Sequence, residues 1–151
     1  MRVSIGSDHR GIELKSKLIE FLTAAKHEVS DLGAVDCNES VDYPDFAEAV
    51  GQGVASGDCD RGILVCGTGI GMSISANKIP GVRAALCHDS SSAKMSRQHN
   101  DSNVLCLAEN IDQAVMLQLL ETWLEAEFEG GRHSRRVEKI RTLEEKYASQ
   151  R

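Results

Sequence analysis

Short apolar runs alternate with longer stretches in which apolar residues return every three or four positions, from one end of the chain to the other. The short runs are residues 3–5, 28–32, 62–66, 82–87 and 104–107. They are rich in Val, Ile and Leu and show little strict in-and-out alternation. That pattern suits strands covered on both faces, as in a parallel sheet. Between them, Ile12, Leu18, Ile19, Leu22 and Ala25 recur at helical spacing. So do Phe46, Ala49 and Val50, and then Ile111, Ala114, Val115, Leu119 and Leu124. Repeated strand–helix alternation predicts a doubly wound α/β domain: a five-stranded parallel sheet in a three-layer αβα sandwich, with right-handed crossovers. Strand order 2-1-3-4-5 is expected.

A tail follows. Gly130-Gly131 is expected to break a long helix that carries Trp123 and Phe128. A further helix, about 133–148, places Val137, Ile140, Leu143 and Tyr147 on one stripe against a heavily charged opposite face. No repeat, low-complexity tract or long linker divides the chain, so 1–151 is expected to form a single domain.

Composition narrows the function. The 151 residues carry a net charge of −6, which argues against a nucleic-acid coat or an anionic-membrane binder. Aromatics make up 4%, too few for base-stacking platforms. No apolar run reaches membrane-spanning length, and Met1–Gly6 lacks the apolar stretch of a signal peptide. Five cysteines, at 37, 59, 66, 87 and 106, form an odd set without C-x-x-C spacing. Free thiols in a reducing cytoplasm are expected rather than a disulfide framework.

In parallel α/β sheets, ligands bind beyond the carboxyl ends of the strands. There the sequence offers Gly6-Ser7-Asp8-His9 after strand one, Cys66-Gly67-Thr68-Gly69-Ile70-Gly71 after strand three and Cys87-His88-Asp89 after strand four. Alternating glycines let the backbone pass close to a ligand and turn into a helix, expected over about 70–78, whose first amides suit an anion or oxyanion. A tight structural turn explains the same glycines equally well. A dinucleotide site fits less well, although Asp89 stands where a ribose-binding acid belongs. Met72 replaces the last glycine of G-x-G-x-x-G, and the turn follows the third strand rather than the first. A Walker loop is excluded because no Gly-Lys-Ser/Thr follows.

Cys66 ends its strand just before that helix, and helix starts favour thiolates, so it is a candidate base or nucleophile. The other cysteines have no such context and are taken as structural or incidental. Asp8 serves either as a helix cap or as a ligand contact, and His9 suits donation to a phosphate or hydroxyl. His99-Asn100 is expected to close a helix over 90–98, where a histidine is either a proton carrier or a simple C-terminal cap. Arg132 and Arg136 share a helical face and, with His133 between them, suggest a cationic claw for phosphate; a solvated charged face is the plainer explanation. His27 and His88 lack partners at ligand spacing, so no metal site is assigned.

Taken together, Asp8-His9, Asp42-Tyr43-Pro44, Cys66 to Gly71, Ala76-Asn77-Lys78, Ser96 to Asp101 and Gly130-Gly131-Arg132-His133 resemble, in this order, the type B ribose-5-phosphate isomerases. These belong to a sugar-phosphate isomerase family that also holds galactose-6-phosphate isomerase subunits. The resemblance spans nearly the whole chain and implies a Rossmann-like fold. It also implies cofactor-free interconversion of ribose 5-phosphate and ribulose 5-phosphate in the pentose phosphate pathway. In such enzymes a histidine opens the sugar ring, a role that falls on His99 with Asp8 nearby. A base then shuttles a proton through an enediolate, here Cys66. Backbone amides of Gly67, Thr68, Gly69, Ile70 and Gly71 would hold the enediolate, assisted by Thr68 and Asn100. His9, Arg132 and Arg136 would grip the phosphate. The resemblance further implies a homodimer at least, with sites shared between subunits and the last helix reaching over the partner. Dimer against tetramer is left open.

The chain departs from the family in two places. One branch uses a Glu base five or six residues beyond the cysteine, where this chain has Met72. Many relatives carry an Arg shortly after strand five, where this chain has Asn110. Two other functions stay open: isomerisation of a six-carbon sugar phosphate, and a non-catalytic nucleotide- or anion-binding module.

Overall fold

Five strands, β1 (Arg2–Ser7), β2 (Glu28–Asp31), β3 (Arg61–Cys66), β4 (Ala84–Leu86) and β5 (Val104–Ala108), pair in parallel in the order β2-β1-β3-β5-β4. The structure, a computed structural model, describes residues 1–36 and 38–148. Cys37, expected to be incidental, lies outside them, as does the end of the expected 1–151 domain. The sheet corrects the expected order 2-1-3-4-5, because the last two strands exchange places. Burial explains the exchange. Val104, Leu105, Cys106 and Leu107 are fully buried and take an inner position, whereas β4 has three partly exposed residues and takes the edge. Arg83 shortens β4 at its start, and Cys87 has left the strand although its amide still donates to Cys106 O at 3.2 Å.

Alternate strand residues feed two cores. Val3, Ile5, Ile63, Val65, Leu105 and Leu107 point to one face, where α1 (Ile12–Ala24), α4 (Ser90–Asn100) and α5 (Gln113–Glu125) cover them with Leu18, Leu22, Ala93, Leu119 and Trp123. Leu64, Cys66, Val104 and Cys106 point to the other, under α2 (Tyr43–Ser56) and α3 (Ile70–Ala76), against Val50, Met72 and Ala76. This is the expected three-layer sandwich. Trp123 is fully buried, and its Nε1–H donates to Ser102 Oγ at 3.0 Å, so the indole fills the core without stranding its polar atom.

The helical stripes differ in detail from those expected. Asp112 caps α5 by accepting from the Ala114 and Val115 amides at 2.9 and 3.1 Å, which leaves both residues exposed in the first turn. Met116, Leu119, Leu120 and Trp123 form the buried face instead. Ala25 and Ala49 are likewise exposed. The helix ends at Glu125, before Phe128, so Gly130-Gly131 does not break it. Those glycines take φ +66 and +55, left-handed values that turn the chain into α6 (Arg132–Ala148). Among the α6 residues only His133 is buried; Ile140, Leu143 and Tyr147 are exposed. No helix among the described residues is long and apolar enough to cross a membrane.

Candidate active site

The carboxyl edge of β1 and β3 assembles the first group of candidates. Ser7 pairs with Val65, and the Asp8 amide donates to Val65 O at 3.2 Å, so Asp8-His9 lies directly beside Cys66. Asp8 is not a helix cap, since Gly11 holds that place. Its Oδ1 accepts from the Arg10 and Gly11 amides at 3.0 and 3.1 Å, and the residue is only 6% exposed. His9 Nδ1 accepts from the Val41 amide at 3.2 Å. In the neutral ring this puts the proton on Nε2, which makes it a ready donor.

Cys66 is buried at the last position of β3, and its Sγ accepts from the Gly69 amide at 3.2 Å. Gly69 has φ +73, and a Cβ there would stand 2.5 Å from Leu86 Cδ1, so both conformation and space demand glycine. The next helix, α3, is shorter than expected, ending at Ala76. The turn has two side walls. A Cβ on Gly67 would meet the Arg10 guanidinium at 3.2 Å, and one on Gly71 the Tyr43 ring at 2.7 Å. Arg10 is fixed by Glu109 through Nε at 2.8 Å. Thr68 is exposed and accepts from the Ile70 amide at 3.3 Å. It also lines a cavity of about 370 Å³ with Leu86, His88, Ala108 and Asn110. Asp89 is occupied elsewhere. It caps α4 by accepting from the Ser92 amide at 2.6 Å, which holds its carboxyl below the usual range.

The second group lies at the opposite edge. Helix α4 runs back from the end of β4 to the start of β5, so His99 and Asn100 close it at the amino edge. Arg83, just before β4, donates from Nε to Asn100 O at 3.1 Å. The pairs Gly62–Val104 and Cys66–Ala108 span four residues of strand, which is about 13 Å. Within one chain, therefore, His99 is far from both Cys66 and Asp8, and the expected closeness of Asp8 to His99 does not occur. Arg132 and Arg136 accompany His99, both exposed on α6. His133 does not join them in a solvent-facing claw. It is 4% exposed and stacks on His99, with ring centroids 4.3 Å apart and planes within 4°. Burial first, then His99 and the two arginines, push its pKa down, against a smaller opposing pull from Glu129.

Arg10, Tyr43, Glu109 and Glu129 were given no role from sequence. Arg10 directly follows Asp8-His9, which was the one available signal. Its partner lies 99 positions away, and no local spacing reveals such a pair.

Known proteins resemble the chain over nearly its whole length. The family model described as Ribose/Galactose Isomerase matches residues 3–140. Ribose-5-phosphate isomerase B of Escherichia coli is 42% identical over 96% of this chain and 97% of its own length. A structure of Clostridium thermocellum ribose-5-phosphate isomerase B superposes with TM-score 0.95 at 53% identity, covering 97% of this chain and 99% of that one. The Mycoplasma genitalium enzyme, determined with bound ribulose-5-phosphate, gives TM-score 0.91 at 42% identity, covering 95% and 96%. With the family model matched over residues 3–140 and relatives 42% and 53% identical across nearly the whole of both chains, the chain belongs to the ribose/galactose isomerase family.

Proposed function

We propose that the chain interconverts ribose 5-phosphate and ribulose 5-phosphate, with Cys66 as the base and His99 of a second copy as the ring-opening acid. The observation that carries this is the seating of Cys66 Sγ under the Gly69 amide, between Asp8-His9 and the glycine turn. His99 of the second copy gives a proton to the ring oxygen as the furanose opens, and the anomeric hydroxyl gives up its own to the Asp8 carboxylate. The Cys66 thiolate then takes the proton from C2, which gives an enediolate with its charge on O1; the C2 hydroxyl proton passes to O1, and the thiol returns its proton to C1 as the C2 carbonyl forms. Proton transfer beside a carbonyl requires both a placed base and donors for the developing oxyanion. The amides of Gly67, Thr68, Gly69, Ile70 and Gly71, with Thr68 and the second copy's Asn100, hold the enediolate oxygens. His9, with Arg132 and Arg136 of the second copy, holds the phosphate, whose binding energy orients the reacting carbons. No cofactor takes part in this scheme.

Two copies are required because the Cys66 edge and the His99 edge lie apart in each. Docking the amino edge of one copy on the carboxyl edge of another, through the exposed stripe of Ile140, Leu143 and Tyr147, completes two sites by symmetry. Unpaired Cys59, Cys66, Cys87 and Cys106 suit a reducing cytoplasm.

The deciding experiment is Cys66→Ala. Turnover of ribose 5-phosphate should fall by about 10²–10⁴-fold, the share of a positioned base, while sugar-phosphate binding persists. Near-normal turnover in that variant refutes the mechanism. Rates on ribose, allose and galactose phosphates measured side by side identify the preferred sugar.

A further inference from the structure

Around His99 lies a group of ligating atoms that isomerisation uses only in part. Glu129 Oε2 stands 4.0 Å from His99 Nε2 and 3.7 Å from His133 Nε2. The ligating atoms of all three side chains lie within 4.8 Å of one another. His133 is buried, and its Nε2 faces Arg132 Nε at 3.5 Å, the outer limit of a hydrogen bond. The Glu129 amide is tied to Gln98 O at 3.1 Å, which fixes the segment before α6 against the end of α4.

We propose that His99, Glu129 and His133 form an inhibitory site for a borderline transition-metal dication, zinc first. Two imidazoles and one carboxylate, with water in the fourth place, are a familiar zinc donor set, whereas magnesium and calcium ask for oxygen ligands. A tetrahedral sphere with bonds near 2.1 Å sets its ligand atoms about 3.4 Å apart, so the trio, whose ligating atoms lie within 4.8 Å of one another, closes around the ion through a side-chain rearrangement of about 1.4 Å at most. The Glu129 side chain is 48% exposed and free to swing inward. Rings parallel within 4° do not both aim lone pairs at one ion, so His99, 37% exposed, tilts out of the stack while buried His133 stays. Arg132 and Arg136 oppose a dication here and keep the affinity moderate. The inhibitory consequence rests on the isomerase reading: a metal-bound His99 nitrogen no longer carries a proton to the sugar ring.

The test uses the full chain with zinc chloride and cobalt(II). Zinc binding is measured by competition with a chromophoric chelator, and cobalt coordination by its visible spectrum. One zinc per chain is expected, together with a tetrahedral cobalt spectrum free of sulfur charge transfer and reversible loss of isomerase activity. Glu129→Gln should keep metal-free turnover but weaken zinc by at least roughly tenfold, since losing even an outer-shell partner costs that much. Cys66→Ser should bind zinc as the unsubstituted chain does. Equal zinc binding in Glu129→Gln, or binding lost in Cys66→Ser, overturns the site. Binding with the expected Glu129 dependence in a chain that never isomerises ribose 5-phosphate supports the site and overturns the isomerase reading instead.

Discussion

Cys66 and His99 stand at opposite edges of one parallel sheet, about 13 Å or more apart along the strands. An isomerase that uses both must therefore combine two copies of the chain. Cys66→Ala and His99→Asn alone should each isomerise ribose 5-phosphate at about a hundredth of the unsubstituted rate or less. Refolded together at equal amounts, they form mixed dimers with one fully intact site and one doubly damaged site. Half of the dimers are mixed, so about a quarter of the unsubstituted activity should return. A mixture as inactive as its components contradicts a shared site.

In the proposed scheme His99 serves only the ring-opening stage. Ribulose 5-phosphate cannot close a five-membered ring, because its 5-oxygen carries the phosphate. In His99→Asn, conversion of ribose 5-phosphate should fall by about 10²-fold or more. Exchange of solvent hydrogen into C1 of ribulose 5-phosphate should continue near its normal rate. Equal loss of both, followed by NMR in deuterated water, would assign His99 to the enediolate step.

The α6 stripe leaves Leu143 54% and Tyr147 56% exposed. If this face docks on a second copy, Leu143→Asp buries a charge in an apolar contact and should yield monomers in sedimentation. Activity should drop by roughly 10²-fold through loss of the partner's acid, while far-ultraviolet circular dichroism stays unchanged. A fully active dimer would move the interface elsewhere.

Trp123 joins α5 to the sheet and to Ser102, and Ser102 Oγ in turn meets Ser96 Oγ of α4 at 2.9 Å. Trp123→Ala leaves a large void and removes the indole donor to Ser102 Oγ, at an expected cost of about 3–5 kcal/mol in urea unfolding. Trp123→Phe should cost less, because the cavity is smaller. Equal losses would show that the hydrogen bond, not the volume, matters.

The chain's own pattern determined the layers and the first half-site. Buried strands announce themselves as unbroken apolar runs, and a strand-to-helix turn keeps its ligands close in sequence, so Asp8, His9, Cys66 and Gly67 to Gly71 were legible as one edge. The exchange of β4 and β5 was less so, because it turns on competition for the interior between a five-residue buried strand and a three-residue exposed one. Only the tertiary structure decided the rest. It set His99 on the far edge, turned His133 inward from its arginine neighbours, and brought Glu129 to both rings. Such meetings depend on where α4 and α6 cross in space, and helical periodicity fixes which face a residue occupies but not what that face will meet.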